Sequence, residues 1–534
     1  MIRSCRRILL AIAVTSVLAT SAWAEGIFQV NDAGTGNWLF DQPSVVANGT
    51  VLHVAFVGDN AIGGSPNTRL YYAAVNGAAN FADKATTRTQ VLVTSPVAID
   101  NDSLYSNARH PQIAIRSANE LAILFQAIPA GGTGYKLFRA KVTISNNAVT
   151  SRRVDRILDA SGNDFLGELT DPSFALVTAD NTMRVAFSSF PSILAPASSD
   201  VYFARVGLEN ARVVANTLIP LTTASSTGVS PLPRLRLDGN NYSHIVWAAN
   251  DTTTGTPSGG IYYAMVNAVP PSVVDNLAIG ATQVLSGGNR WGFPNVLLAI
   301  AGNQIWVLAA DEPSGSTGLA GSLGIALLNP YAVTHDGNPV TVNNVGSNSL
   351  FFLNPPGGSV LSSDFDAYRP EASIDGQSRM HVAGYGFRDA LSPFRGTPGR
   401  FYAMAVGTTS SSAGTASVFA SIVSSPVSVG LGDTAFAMQI PGDYTRPAFA
   451  HLSGKAVHFW SGPDNPLAGD EGARNLYVTS ALDSPDNPPT KQSGCSMVGD
   501  LRGYDAGRIP GAVVLLLPAI LLAVRKAARK AFAR

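Results

Sequence analysis

A proline-led hairpin recurs seven times along this chain, and no other feature restricts its fold as much. In residues 232–247, LPRLRLDGNNYSHIVW, Pro233 stands where a missing N–H is tolerated, and Leu235 and Leu237 alternate with Arg234 and Arg236. Asp238, Gly239, Asn240 and Asn241 supply a turn that accepts positive φ, and Ile245, Val246 and Trp247 form the return strand. Six further copies begin at Gln42, His110, Asp171, Phe293, Arg369 and Arg446. Their prolines are Pro43, Pro111, Pro172, Pro233, Pro294, Pro370 and Pro447, giving intervals of 68, 61, 61, 61, 76 and 77 residues. Three identical intervals mark a structural unit rather than a chance pattern.

Each hairpin is followed, after a Gly/Ser/Pro-rich loop, by an aromatic and β-branched strand such as Leu70-Tyr71-Tyr72-Ala73 or Ile261-Tyr262-Tyr263-Ala264. A fourth apolar run comes next in most units, at 90–94, 212–219, 283–286 and 417–422. Four short strands repeated seven times predict an all-β fold, a seven-bladed β-propeller of four-stranded antiparallel blades. The last unit lacks a fourth strand of its own, while 27–30 precedes the first hairpin without a unit, so the N-terminal strand is expected to complete the seventh blade. An open solenoid or two β-sandwiches is the competing architecture.

Composition agrees with a turn-rich β-protein: 51 glycines, 33 prolines and only 13% charged residues, against roughly 25% in an average soluble domain. The 36 basic and 36 acidic residues cancel and no basic block lies in the central region, which excludes an electrostatic nucleic-acid surface. Of two cysteines, Cys5 lies among Arg3, Arg6 and Arg7, ahead of an apolar run and the small-residue cleavage site ending at Ala24. That is the pattern of a signal peptide over 1–24, and the exported chain keeps Cys495 alone.

The proline, the apolar alternation, the Asp/Asn/Gly turn, the Leu-His-Val-type strand and the Tyr-Tyr-Ala strand together resemble the sialidase-like, BNR-repeat propellers over residues 42–482. In that resemblance arginines from different blades converge on a substrate carboxylate, which assigns such a role to Arg109, Arg369 and Arg446, each at the start of a first strand. Tyr368 and Glu371, with Asp364 and Asp443, would then supply acid/base or nucleophilic groups for a glycoside hydrolase acting on an anionic glycan. The reading preferred from the residues is a binding or interaction module for an envelope or extracellular ligand, glycan or protein. An acidic or amide residue beside an aromatic leads into several first strands: Asn37-Trp38, Asp164-Phe165, Asp364-Phe365 and Asp443-Tyr444, with Asn289-Arg290-Trp291 as a variant. These are either a ligand-stacking rim or wedges between blades.

His53, His244, His381 and His458 share one position of the repeat, which marks them as structural, since equivalent positions diverge around the axis while metal ligands must converge. No phosphate loop, metalloprotease helix, paired CxxC or nucleophile elbow is present, so no cofactor is expected. The acidic entry loop Asp100-Asn101-Asp102 offers oxygen ligands of the kind calcium takes, at a spacing that is not specific to it. A linker over 483–494 precedes Gly494-Cys495-Ser496, an apolar run over 509–524 and a basic end. The arrangement over 495–534 resembles the bacterial MYXO-CTERM and JDVT-CTERM sorting signals. What this implies is cleavage by a membrane-embedded sorting protease, lipid attachment at Cys495, and a propeller over 25–482 held outside the cytoplasm. A plain tail anchor through a short transmembrane segment is the other option.

Overall fold

The structure is a computed structural model, describing residues 28–31, 39–59, 67–99 apart from 82 and 84, 104–222 apart from 166 and 191–199, 231–251, and strand segments with Pro447 between 258 and 482. The chain divides into two units, Met1–Pro485 and Asp486–Arg534, and every described residue belongs to the first. Ala24, Cys495, the linker and the 509–524 run lie outside the described residues. Among those described, no helix is long and apolar enough to cross a membrane.

The architecture is all-β and propeller-like. The second repeat shows the unit at its most regular: Tyr105–Ser117, Glu120–Pro129, Lys136–Ser145 and Ala148–Arg156 pair in sequence as an antiparallel meander. In the fourth, Arg234–Leu237, Ser243–Asp251, Ser258–Asn267 and Asn276–Ser286 do the same. Its turn is set by Asp238, whose Oδ1 accepts from the N–H groups of Asn240 and Tyr242 at 2.9 and 2.8 Å, while Asn241 takes a φ of 63°.

Two fourth strands differ from the sequence expectation. Residues 88–91 form one helical turn whose capping box joins Thr87 to Gln90, so the strand expected at 90–94 starts at Leu92 and runs to Ala98. The run at 212–219 contributes only Ile219–Pro220 to its sheet, because Val213 instead makes an isolated bridge to Val206.

The second and third strands explain the recurrent aromatic motif. Phe56 and Tyr71, Phe125 and Phe138, Phe187 and Tyr202, and Trp247 and Tyr262 are register partners, stacked with centroids 5.7, 5.6, 5.8 and 6.1 Å apart. The next aromatic points to the opposite face. There Tyr72 and Tyr263 each meet a repeat histidine, His53 Nδ1 and His244 Nδ1, at 2.8 Å. Burial pushes the His53 imidazole below its ordinary value and the Tyr72 phenol well above its own, so the pair stays neutral.

Apolar cores lie between consecutive repeats. Tyr72, Ile99, Phe125 and Phe138 join the first to the second, Leu124, Phe174 and Phe187 the second to the third, and Phe203, Leu221 and Trp247 the third to the fourth. Chain ends meet in the same manner: Val30 and Phe40 pack with Val457, Phe459 and Leu476. The N-terminal strand Phe28–Gln29 pairs with Arg474–Leu482, the third strand of the last repeat, with Phe28 opposite Val478. Asn31 Nδ2 and Gln29 Nε2 both donate to Asn475 Oδ1, at 2.7 and 3.0 Å, and Leu476 N–H donates to Asn31 Oδ1 at 2.8 Å. This pairing covers an edge that would otherwise offer unpaired backbone groups.

Candidate functional site

The repeat proline builds the site. Having no N–H, it cannot join the ladder, and the residue before it adopts a left-handed backbone: φ is 53° at Gln42, 50° at His110, 53° at Asp171 and 46° at Leu232. The ladder shifts register there, between Asp41 and Ser44, Arg109 and Gln112, and Thr170 and Ser173, and equally between Tyr368 and Glu371. Each is a bulge at the start of a first strand. A left-handed conformation costs a branched residue such as Leu232 about 1–3 kcal/mol, so the surrounding fold holds it in place. The outcome is a shared cavity of about 360 Å³, lined by first-strand residues of the first, second, third, fourth, sixth and seventh repeats.

Inner strand edges are satisfied by their neighbours. Ser44 Oγ accepts from Ile113 N–H of the next repeat at 3.1 Å, and Ser173 Oγ from Leu235 N–H at 3.0 Å. A polar chain runs around one side of the cavity. Gln42 Oε1 accepts from His110 N–H at 2.6 Å, His110 Nδ1 lies 2.9 Å from Asp171 Oδ1, and Asp171 N–H donates to Gln126 Oε1 at 2.5 Å. Three repeats are thereby locked in register by groups shielded from water, where hydrogen bonds are strong and unsatisfied ones costly.

The other side carries charge. Arg234 of the fourth repeat reaches past the fifth to pair with Glu371 of the sixth, Nη2 to Oε2 at 3.0 Å, both side chains largely buried. Arg236, two residues along, lines the same cavity. Its side chain keeps an exposed surface, with protein packed densely around it. That burial lowers its pKa from the ordinary guanidinium value, with Glu371 opposing and Arg234 adding to the shift.

The residues expected from the sequence are dispersed. Glu371 lines the cavity, but as the partner of Arg234. Arg109 is absent from the lining: its guanidinium lies over the Tyr135 ring, 5.4 Å from the centroid. Asp164 is exposed and pairs with Arg156 at 2.9 Å. Tyr368 and Arg369 lie in the strand Asp366–Ile374 and Trp291 in Arg290–Leu298, with side chains outside the described set. Trp38, Asp364, Phe365, Asp443, Tyr444 and Arg446 lie outside the described residues altogether. Sequence reasoning missed Arg234 and Arg236 as site residues. The signal was in the repeat: one residue after the proline the chain has Ser44, Gln112, Ser173, Arg234, Asn295, Glu371 and Ala448. At that position the fourth copy alone is basic and the sixth alone acidic.

No protein-family model matches this chain, and no curated protein matches it either. Among solved structures the chain is similar to a protein of unknown function from Dyadobacter fermentans, at 10% identity over 86% of this chain and 100% of that one, with a TM-score of 0.39. It is also similar to the GH93 α-L-arabinofuranosidase of Fusarium graminearum in complex with arabinobiose (12% identity, 76% and 98% covered, TM-score 0.39). The endo-arabinase from Bacteroides thetaiotaomicron resembles it at 10% identity, with 65% and 88% covered and a TM-score of 0.32. At TM-scores this low the likenesses carry no weight for function, which rests on the cavity's own residues.

Proposed function

We propose that this chain is an exported, seven-bladed propeller of the sialidase-like, BNR-repeat kind, acting as a binding module whose ligand site is the cavity between its first strands. The observation that carries the reading is the cavity itself, about 360 Å³ with polar and charged side chains from separate repeats turned into it. Pockets of this kind, with a few fixed polar groups among apolar ones, take small ligands or the protruding end of a larger one. A glycan or peptide terminus from the envelope or the surroundings fits that description.

Calorimetry on the full-length chain with neutral and acidic monosaccharides and short glycans tests the reading. At least one compound is expected to bind, and Ser373→Trp, which fills the cavity from the sixth repeat, to abolish the heat while leaving the melting curve unchanged. Silence across the whole panel, or binding indifferent to the tryptophan, would sink it. Hydrolysis is the second reading, favoured by one observation: two carboxylates, Asp171 and Glu371, line the same cavity. Turnover of a fluorogenic glycoside, lost in both Asp171→Asn and Glu371→Gln, would establish it.

The proposal extends to location. The signal peptide and the Cys495 segment support a propeller held at the envelope or cell surface through its C-terminus, after processing by a sorting protease. Wild-type protein is expected to partition with detergent and to lose its C-terminal peptide, and Cys495→Ser to do neither. A variant that still fractionates with membranes, in cells where no C-terminal peptide is ever released, rules out the sorting route in favour of a plain tail anchor.

A further inference from the structure

His53 stands on the second strand of the first repeat, Val51–Asp59, and is 0% exposed. Its neighbours on that face, Ala55 and Val57 on its own strand and Tyr72 and Ala74 on the next, belong to the core between the first and second repeats. The hydrogen bonds around it run in one consistent direction. The Asn147 carbonyl, in the turn between the third and fourth strands of the second repeat, accepts from Thr94 Oγ1 at 2.8 Å and from Tyr72 Oη at 3.3 Å. With the Tyr72 proton used there, the network assigns the proton of neutral His53 to Nδ1, which donates to Tyr72 Oη at 2.8 Å. Nε2 is then the basic nitrogen, and it is buried without a hydrogen-bond partner among the described residues.

A proton added at Nε2 makes a charged donor with nothing to accept it. Burial alone lowers the His53 pKa, with no contribution from a nearby charge. In the core around it the ionisable groups are the Tyr72 and Tyr105 phenols, and Tyr105 Oη accepts from Leu70 N–H at 3.3 Å. Arg116, Glu120 and Lys141 of the second repeat meet Glu209 or one another, and His110 meets Asp171, both on the side of the third repeat. Arg152 does reach the seam, Nη1 donating to the Ala98 carbonyl at 2.5 Å, but a second cation adds to the cost. The fourth repeat differs at the equivalent position. There His244 Nε2 lies 3.5 Å from Asp238 Oδ2, so a proton on it has a counter-charge.

We propose that His53 is an acid-operated latch on the seam between the first and second repeats: neutral, it anchors Tyr72 and through it Asn147; protonated, it parts the two repeats to bring Nε2 to water. This device is independent of what the cavity binds, yet it acts on the cavity wall. Gln42, Ser44, His110 and Gln112 line the cavity from these two repeats, and the bonds from His110 N–H to Gln42 and from Ile113 N–H to Ser44 cross the same seam. Free imidazole takes its proton near pH 6.5, and folded His53 takes it lower. As pH falls the unfolded or opened chain binds the proton first. The latch is therefore fully stabilising above about pH 6.5 and loses that contribution on the way down to the folded value. For one proton, the opening equilibrium shifts by up to about tenfold per pH unit within that window.

Hydrogen exchange of the full-length chain at about pH 7.5 and about pH 5.5, either side of the free imidazole value, tests this. After correction for the intrinsic pH dependence of exchange, residues 51–57 and 138–149 are expected to lose protection in acid by up to about tenfold. Residues 243–249, around His244, should keep theirs. His53→Gln retains an amide for Tyr72 and takes no proton, so it is expected to abolish the acid-induced loss, whereas His244→Gln leaves it intact. The latch is overturned if seam protection in the wild type is indifferent to acid, if the loss spreads evenly over the first four repeats, or if His53→Gln shows the same loss. Should that variant fail to fold, the wild-type profile decides alone: loss confined to the seam supports the latch, and uniform or absent loss refutes it.

Discussion

Asn31→Ala is expected to destabilise the folded chain by about 1–3 kcal/mol, since it takes the acceptor from a buried backbone N–H and one of two donors from a buried amide oxygen. Leu476 N–H loses the Oδ1 that accepts from it at 2.8 Å, and Asn475 Oδ1 loses the closer of its two donors, at 2.7 Å, keeping Gln29 Nε2 at 3.0 Å. Both asparagines are buried, at 1% and 4% exposure, so water does not replace what is removed. The site joins strands 444 residues apart in sequence, and its failure frees the N-terminal strand from the last repeat. Arg88 then loses its grip too, because Nε and Nη2 donate to the Gln29 and Val30 carbonyls at 2.8 Å each. Asn475→Ala should cost a similar amount, and the double variant hardly more than either, because all three delete one cluster. Urea midpoints of the four proteins measure this. Additive losses, or a midpoint that does not move, would show that the N-terminal strand is dispensable.

Asp155→Ala is expected to be at least as damaging, about 3–5 kcal/mol, by leaving a buried cation without its counter-ion. Arg139 is only 1% exposed and sits opposite Asp155 in the outer pair of strands of the second repeat, its Nη2 bonded to that carboxylate. Among the described residues its Nε and Nη1 have no partner, so the carboxylate alone compensates the charge. Adding Arg139→Met to the first change should recover most of the loss, since an apolar side chain of similar length fills the space without the charge. Chemical denaturation reads both. A single-variant loss under about 1 kcal/mol, the size of a surface pair, would mean that water reaches Arg139 after all.

Fold and site differed in how far they could be read from the sequence. The strands were legible because their pattern is local: alternation in Leu235 and Leu237, turn chemistry at Asp238 to Asn241, and aromatic partners such as Trp247 and Tyr262 a short distance apart in the chain. The N-terminal closing strand was legible by counting, as one strand was missing at the end and one was spare at the start. Fourth strands were less so. Near residues 88–91 a capping box, and near Val213 a short bridge, outweighed an apolar run too weak to specify a strand.

The site was harder because its residues converge only when the repeats do. Arg109 looked equivalent to Arg369 and Arg446 at the head of a first strand, yet it lies on the Tyr135 ring, where aromatic attraction and a nearby loop compete with the cavity for the same cation. Arg234 and Arg236 alternate with leucine, a pattern that a strand side facing solvent shares with one facing a polar cavity. In the innermost strand that side faces the cavity.

By itself, then, the sequence determined the repeat, its strands and turns, and the spare N-terminal strand, because each depends on residues a few positions apart or on simple periodicity. Tertiary structure decided which polar side chains share a space: that Glu371 faces Arg234 across an intervening repeat, and that His110 meets Asp171. Those contacts join residues 61 to 137 positions apart. Side-chain pairing at such distances is set by how the sheets are arranged around the cavity, and no local pattern encodes it.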